Sequence, residues 1–466
     1  MRGMAYIVLR LGIDINSKTT TGIVMNRDGA ILHVAKSPTQ KDLLAGLSEV
    51  IKEITAPDKS CTSIGEVIIG TDYFANLVEK GERLSKVCSI RIGQAKNTIP
   101  PLYGASDLIQ KAIEVIPFQL YGGHEMDGRS SLQPARHDLE TFLETIREEG
   151  INSFAITGAF SLVNPAHENI VEQWIREIVG DDCTVTKSHM LGSIGFLERE
   201  NSSIFNAALS KTILRSVEGL QDLMHQNGLH AKIYFTQNDG SLLGYESALQ
   251  YPIRTCGSRI SNSFRGASLL TGLNDCVIVD ICQSKASIGA LERGFPKEKR
   301  RNMKMAGVPV SLQMSDVTNL TISEDRTADD NNLDAIYHAI QRFQPRFEPL
   351  PIVFVGDGSD RIFPSFKYPW SDVLHPAEFE NVSAIGACIA QVSGAVDRIY
   401  WVDEEDRDKT IQIAKEEAIQ AAIAEGASPK TVFVQRVEIN PIAYMPTKAI
   451  RIKVKAIGTL DFQHLR

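Results

Sequence analysis

Two segments of the sequence place an aspartate directly before a short polar turn that contains a lysine. The first is GIDINSKTTTGIVMNRDG, residues 12–29, with Asp14, and the second is IVDICQSKASIGALERG, residues 278–294, with Asp280. In each, an apolar run ends at Asp-Ile and a second apolar run follows the turn. Turns of this kind hold phosphate groups when their backbone N–H groups can approach the oxygens, which usually requires glycine. The pattern therefore raises nucleotide binding as one interpretation, and a pair of plain β-hairpins without a site as the other.

The repetition of the pattern indicates two related halves that face one another, and a cleft between such halves is a natural ligand site. Strand-like and helical patterns alternate around the two segments, as in α/β proteins. We expect strands at residues 6–14, 22–27, 30–36, 66–70, 151–160, 230–236, 276–282 and 351–355. We expect helices at residues 42–55, 105–115, 137–149, 166–179, 194–226, 331–343, 381–393 and 407–424.

Composition narrows the class of protein. The chain has 466 residues, too many for one ordinary core, so we expect two or three domains. A net charge of −8 argues against a general nucleic-acid binder. No apolar run approaches the roughly 20 residues of a membrane span, and the first strand follows the N-terminus without a signal-peptide pattern. Seven cysteines without a CxxC pair predict reduced thiols in the cytoplasm, with no disulfide framework and no metal site.

Two stretches and one helix start carry local signals. Residues 117–136 and 315–332 are polar and rich in turn-forming residues, which predicts loops or a domain boundary. Asn164 followed by Pro165 is typical of a helix start, so we expect Asn164 to cap the helix at 166–179.

Several further segments resemble one protein family throughout the chain. GAFSLVNPAHE (158–168), SHMLGSIGFLERENSSIFNAAL (188–209), FTQNDGSL (235–242) and SNSFRGASLLTGL (261–273) occur in the order found in the hydantoinase A/5-oxoprolinase family. The C-terminal part also fits. The sequence is identified on these motifs as a divergent member of that family, within the superfamily of actin-like, sugar-kinase and Hsp70-like ATPases.

The resemblance implies a fold and a chemistry. The fold is α/β, with two actin-like (ribonuclease H-like) lobes and a cleft between them. Relatives use ATP and Mg²⁺ to open cyclic amides such as hydantoins and 5-oxoproline, by phosphorylating the amide oxygen before water attacks.

This sequence departs from the family at the nucleotide motifs. The family's phosphate loops contain Gly-Gly-Thr and a closing Asp, but residues 14–21 and 280–287 have lost the glycines and the closing carboxylate. Asp357 stands in the third, Gly-rich turn, where a carboxylate repels phosphate. GTDYF replaces the family's GTTHF near residue 72, and SRISN at 258–262 replaces SGPTN. Together these changes argue against bound ATP or Mg²⁺, so we expect no cofactor.

The prediction that follows is a repurposed enzyme without ATP, which forms or isomerises a ring in secondary metabolism. An intramolecular Diels–Alder-type closure is one concrete form, because positioning and hydrogen-bond donors suffice for it. The candidate catalytic residues are Lys18, Asp72, Tyr73, Arg265 and Lys285. The candidate substrate-binding residues are Asp14, Asn16, Asn238, Asp239, Asn262, Asp280 and Gln283.

Two other functions stay open, namely ATP-dependent ring opening of a cyclic amide and a non-catalytic role as a partner subunit. Detectable binding of ATP with Mg²⁺ would favour the first, and a stable complex without turnover the second. We expect an N-terminal lobe at 1–190, a second lobe at 191–400 and a C-terminal α/β segment at 401–466. The expected partners are a small-molecule substrate and either further copies of the chain or a second subunit, with no nucleic acid and no membrane.

Overall fold

Strands and helices alternate along the chain in the computed structural model, which describes residues 9–40, 43–56, 63–94, 98–299, 303–323, 329–345, 347–402, 406–442 and 449–460. The strands are β1 (Leu9–Ile15), β2 (Thr19–Met25), β3 (Ile31–Pro38), β4 (Ile64–Thr71), β5 (Cys88–Ile92), β6 (Ile116–Leu120), β7 (Ser153–Gly158), β8 (Thr184–Lys187), β9 (Lys232–Thr236), β10 (Leu242–Gly244), β11 (Cys276–Cys282), β12 (Lys285–Glu292), β13 (Phe295–Pro296), β14 (Lys304–Met305), β15 (Val308–Pro309), β16 (Val317–Thr321), β17 (Ile352–Val355), β18 (Val373–Leu374), β19 (Val392–Trp401), β20 (Phe433–Pro441) and β21 (Ala449–Gly458). The α-helices are α1 (Leu43–Ile54), α2 (Tyr73–Lys80), α3 (Asp107–Ile113), α4 (Arg136–Thr145), α5 (Ala166–Val179), α6 (Phe196–Val217), α7 (Leu220–Gln226), α8 (Tyr245–Gln250), α9 (Ser258–Thr271), α10 (Asp329–Gln341), α11 (Ser359–Ile362), α12 (Val382–Cys388) and α13 (Arg407–Ala424).

The first repeated segment lies near one edge of a nine-stranded sheet with the order β20-β21-β19-β10-β9-β4-β1-β2-β3. β1 pairs antiparallel with β2 and parallel with β4, which in turn pairs parallel with β9. Leu11, Ile13 and Ile69 are fully buried there. Such apolar runs suit strands that are covered on both faces.

The second repeated segment builds a six-stranded sheet in the same way. β11 pairs antiparallel with β12 and parallel with β17, and β12 pairs antiparallel with β16. Three antiparallel strands followed by two parallel ones (β16-β12-β11-β17-β18) repeat the order β3-β2-β1-β4-β9 of the first sheet. The internal repeat expected from the sequence is therefore present in the structure.

Two helices join the repeated halves by a close backbone crossing. A Cβ added at Gly266 of α9 would lie 2.0 Å from the carbonyl oxygen of Val382, and one at Gly386 of α12 would lie 1.8 Å from that of Asn262. Only glycine permits this approach at either position, because any side chain would collide with the backbone of the facing helix.

A separate sheet of four parallel strands, in the order β6-β5-β7-β8, lies between the first lobe's α2 and the long helix α6 in the chain. Helices α4 and α5 pack on one face of it through Leu139 and Val171, against Ile90 and Ile156. Helices α3 and α6 pack with Ala155 of the same sheet in the main core, so both faces are covered.

Most predicted elements have a counterpart, with four corrections. The helix expected at 194–226 is two helices, because Gly219 adopts a left-handed φ of +82° between them. The helix expected at 381–393 ends at Cys388, and β19 begins four residues later. The loop expected at 315–332 contains β16, and the one at 117–136 begins within β6.

Other expectations concern helix starts, thiols and domains. The Asn164 side chain accepts a hydrogen bond from the N–H of Ala166 at 3.0 Å, at the start of α5. The six cysteines in the described part of the chain are free thiols.

Of the predicted strands and helices, residues 6–8 and 42 lie outside the described residues. The nine-stranded sheet takes strands from all three predicted segments, 1–190, 191–400 and 401–466.

Candidate functional site

The turn after β1 is closed by its own asparagine. Asn16 Oδ1 accepts hydrogen bonds from the backbone N–H groups of Lys18 and Thr19, both at 2.8 Å. These are the groups that a phosphate-binding turn would offer to its ligand. Asn16 therefore satisfies the donors that glycines would leave free in a phosphate loop.

The turn after β11 contacts the first turn across the cleft. Gln283 has a left-handed φ of +55°, and its side-chain oxygen lies 3.0 Å from Ser17 Oγ. The backbone N–H of Gln283 donates to Asp357 Oδ1 at 3.2 Å. The carboxylate of the third motif therefore accepts a hydrogen bond from the backbone of this turn. The two turns and the third motif thus bind one another within the protein.

A buried arginine joins the aspartates of the cleft. Arg259, in the first turn of α9, donates from Nη2 to Asp280 Oδ2 at 2.9 Å and from Nε to Asp72 Oδ2 at 3.1 Å. Arg259 is 7% exposed and Asp280 is fully buried. Burial opposes the guanidinium charge, but Asp280, Asp72 and Asp14 outweigh it and hold the pKa of Arg259 well above its usual value. The positive charge of Arg259 therefore interacts with the negative charges of three carboxylates.

Asp14 has the most perturbed carboxyl of this group. Burial raises its pKa from 3.8 to about 7, although Arg259 and a hydrogen bond from Ser383 lower it. Ser383 lies in α12 and donates to Asp14 Oδ1 at 2.8 Å. Burial also raises the pKa of Asp280, against the effect of Arg259. Asp14, Asp72, Arg259 and Asp280 form one cluster, which is named the arginine cluster below.

Three predicted catalytic residues lie away from the arginine cluster. Lys18 is exposed in its turn. The Lys285 side chain is two-thirds exposed, and its ammonium lies 3.5 Å from the Glu79 carboxylate. The Tyr73 hydroxyl accepts a hydrogen bond from Arg83 at 2.8 Å. Neither of these two contacts is with an aspartate of the cluster.

The remaining predicted residues form a second buried polar group. Asp239 accepts from Ser241 and pairs with Lys455 at 2.8 Å, and this pairing outweighs burial, so the pKa of Asp239 is lowered. Arg265 is 7% exposed, and within the described residues its Nε and Nη1 have no hydrogen-bond acceptor. Burial lowers the pKa of Arg265 to about 10.

Two amides complete this second group. Nδ2 of Asn238 also has no acceptor in the described part of the chain, and the Asn238 carbonyl accepts from Ser261 at 2.7 Å. Asn262 donates to Thr236 Oγ1 at 2.8 Å, beside the α9–α12 crossing. Asn262 is thus engaged in packing, whereas Asn238 retains a donor.

Sequence reasoning missed Arg259, Ser383 and Lys455. Arg259 stands in the SRISN segment, which departs from the family's SGPTN, so the departure itself was the available signal. Ser383 and Lys455 come from α12 and β21, and no local pattern connects them with Asp14 or Asp239. They reach the site only through tertiary packing.

Comparison with models of known protein families shows to which family the chain belongs. The model for the hydantoinase/oxoprolinase N-terminal region matches residues 10–179, and the hydantoinase/oxoprolinase model matches residues 199–326. The chain belongs to the hydantoinase/oxoprolinase family. The resemblance found in the sequence is thereby confirmed.

Individual relatives are enzymes or subunits of enzymes. Caprolactamase subunit alpha of Pseudomonas jessenii is 24% identical over 255 residues, 50% of this chain and 36% of the relative. The acetophenone carboxylase gamma subunit of Aromatoleum aromaticum is 25% identical over 108 residues, 22% of this chain and 15% of the relative. The 5-oxoprolinase of Saccharomyces cerevisiae is 32% identical over 112 residues, 24% and 8% respectively. The matched parts span 36%, 15% and 8% of these three relatives, so this chain matches little more than a third of the length of one and far less of the others.

Solved structures share the fold. Nucleotide-free acetone carboxylase superposes with a TM-score of 0.73 at 12% identity, and the ATP-dependent caprolactamase of Pseudomonas jessenii with 0.72 at 14%. Each match covers 97% of this chain and 88% of the other. The predicted α/β fold with two actin-like lobes is confirmed. In the part of the chain that the structure describes, no helix has the length and apolar character needed to span a bilayer.

Proposed function

We propose that this chain is a family member that acts on a small molecule without ATP. The observation that carries the proposal is the position of Arg259. Its guanidinium binds the carboxylates of Asp72 and Asp280. A magnesium ion binds proteins through such carboxylate oxygens, and here they already have a cation. The residues present therefore do not fit a magnesium-bound nucleotide.

The turns support the same proposal. Asn16 occupies the N–H groups of its turn, and Asp357 occupies the N–H of Gln283. Nucleotide binding would have to break these hydrogen bonds and bring phosphate close to Asp357. Each carboxylate near a phosphate adds repulsion.

The reaction we propose is ring formation or isomerisation, with an intramolecular cycloaddition as its most specific form. Such a reaction requires a reactive conformer to be held and a carbonyl to be polarised. The donors we assign to the carbonyl are Nε and Nη1 of Arg265 and Nδ2 of Asn238, because they are buried and lack acceptors within the described residues. Enclosed donors polarise a carbonyl more strongly than donors in water.

Two alternatives rest on the relatives. ATP-dependent opening of a cyclic amide is favoured by the similarity to the ATP-dependent caprolactamase and to 5-oxoprolinase. A role as one subunit of an assembly is favoured because two relatives are named as subunits.

The first test is calorimetric titration of the wild-type chain with ATP and with a non-hydrolysable analogue, both with Mg²⁺. The Pseudomonas jessenii caprolactamase serves as the positive control in the same buffers. We expect no saturable heat at millimolar nucleotide. Saturable binding by the wild type would overturn nucleotide independence and return the chain to ATP-dependent chemistry.

The second test separates the reactions by mass. The chain is incubated with a small-molecule extract and the products are analysed by chromatography and mass spectrometry. Ring formation and isomerisation give a new retention time at unchanged mass, whereas ring opening adds the mass of one water. We expect Arg265→Met to abolish the product and Arg398→Met, a surface change, to leave it. No turnover, with a co-purifying protein, would favour the subunit role.

A further inference from the structure

The four-stranded parallel sheet has a crevice at the edge where its strands end. Its order is β6-β5-β7-β8. After β5 the chain forms β6 on one side of it, and then crosses to the other side of β5 to form β7. The connections thus change direction between β5 and β7. In open α/β sheets, ligands bind outside the carboxyl ends of the strands at such a point. Topology alone therefore marks this edge as a place where a ligand can bind.

A cavity of about 410 Å³ lies at that edge. It is lined by residues that follow the ends of three strands: Gly93 after β5, His124 and Glu125 after β6, and Phe160 after β7. Phe196, at the start of α6, closes another side. The volume lies within the range of small-molecule sites.

His124 presents an unused imidazole to the cavity. The residue is 5% exposed, and its ring has no hydrogen-bond partner within the described residues. It packs on His167 with ring centroids 4.0 Å apart. His167 Nδ1 accepts from the backbone N–H of Gly123 at 3.0 Å, which fixes this second ring as neutral. Burial lowers the pKa of both rings, so His124 offers one neutral donor and one acceptor.

Phe160 adopts a backbone conformation that side chains rarely accept. Its φ is +54°, and the residue is 38% exposed although its side chain is large and apolar. Residues held in this region cluster at ligand sites, where the surroundings fix a costly conformation. Here that conformation places an aromatic ring at the cavity together with Phe196.

The charges of the lining select against anions. Glu125 is exposed at the cavity, and none of the described lining residues is a lysine or an arginine. We infer that this cavity binds a small planar aromatic or heterocyclic molecule without negative charge, packed against Phe160 and Phe196 and hydrogen-bonded to His124. The inference does not depend on whether the cleft between the lobes binds nucleotide.

Three probes of equal shape test it: benzamide, benzamidine and benzoate, which are neutral, cationic and anionic. The full chain is labelled with ¹³C-histidine, and the ring signal of His124 is identified by its loss in His124→Ala. We expect saturable shifts of the His124 signal with benzamide and benzamidine, and affinity for benzoate lower by tenfold or more. Equal affinity for benzoate, or no saturable shift with any probe, would overturn the inference.

Variants provide the controls. Phe160→Gly suits the positive φ, so it keeps the fold while removing one ring, and we expect binding to weaken on the order of five- to tenfold. His137→Ala changes an exposed histidine of the same sheet domain and should leave the affinity unchanged. If His124→Ala fails to fold, the affinity of Phe160→Gly decides the question, and wild-type affinity there would refute the site.

Discussion

Replacing Arg259 by methionine should destabilise the protein by about 3–5 kcal/mol, because it removes one partner of a buried ion pair. Asp280 is fully buried and would lose its guanidinium partner at 2.9 Å. Asp72 would lose its partner at 3.1 Å, but its side chain is 24% exposed and regains water. Most of the loss should therefore come from the stranded charge of Asp280. Methionine keeps an unbranched side chain in the space, so cavity formation contributes little.

The assay is urea-induced unfolding, with the free energy extrapolated to water and the m-value compared with the wild type. Arg398→Met is the matched control, because Arg398 pairs with Glu417 on the surface, where such a pair contributes about 0–1 kcal/mol. Arg259→Met should also lose less stability at pH 5 than at pH 8. Without the arginine, Asp280 and Asp14 take up protons more readily, which removes the uncompensated charge.

A double-mutant cycle gives the decisive result. Asp280→Asn removes the charge that Arg259→Met would strand, so the double variant should be more stable than the sum of the single losses by about 1–3 kcal/mol. The free energy of unfolding of Arg259→Met could also lie within 0.5 kcal/mol of the wild-type value, as expected for a surface substitution. In that case the ion pairs of Arg259 do not stabilise the protein. Strict additivity of the two changes would refute the coupling directly.

Two further predictions concern Asp14 and the helix crossing. Because the folded-state pKa of Asp14 is raised from 3.8 to about 7, the folded state binds the proton more tightly, and its contribution to stability is present below pH 4 and lost as pH rises to 7. Asp14→Asn should reduce this loss by up to about 4 kcal/mol, measured as unfolding free energy against pH; an unchanged pH profile would contradict the raised pKa. Gly386→Ala should destabilise by about 3 kcal/mol or more, since its Cβ would lie 1.8 Å from the Asn262 oxygen. Gly93→Ala, whose Cβ meets no atom closer than 3.9 Å, is the control in the same denaturation assay.

Local patterns in the sequence sufficed for much of the fold. The Asp-Ile ends of the two repeated segments correctly predict the hairpins β1–β2 and β11–β12, because apolar runs separated by a polar turn have few other solutions. Helix α9 escaped prediction since six of its fourteen residues are serine, asparagine or glycine. These residues have low intrinsic helix propensity, and tertiary packing against α12 overrides it.

The candidate site was less accessible to the sequence. Asp14 and Asp280 were predicted from their positions at strand ends and Asp72 from the departure of GTDYF from the family motif, and the structure places all three near Arg259. Lys18 is exposed instead, because nothing in a turn sequence reveals which way its long side chain extends. The pairing of Arg259 with the aspartates joins separate elements, and a single sequence carries no record of such contacts.

The nine-stranded sheet also determines the order in which the protein can complete itself during synthesis. β10 pairs with β19, and Asp14 receives its hydrogen bond from Ser383, 369 residues later in the chain. At typical elongation rates that interval lasts roughly 20–70 s. β19 begins 148 residues after β10 ends, so for roughly 7–30 s the edge of β10 is unpaired and open to other strands. A nascent chain of this protein therefore has reason to engage a chaperone while its last third is still being translated.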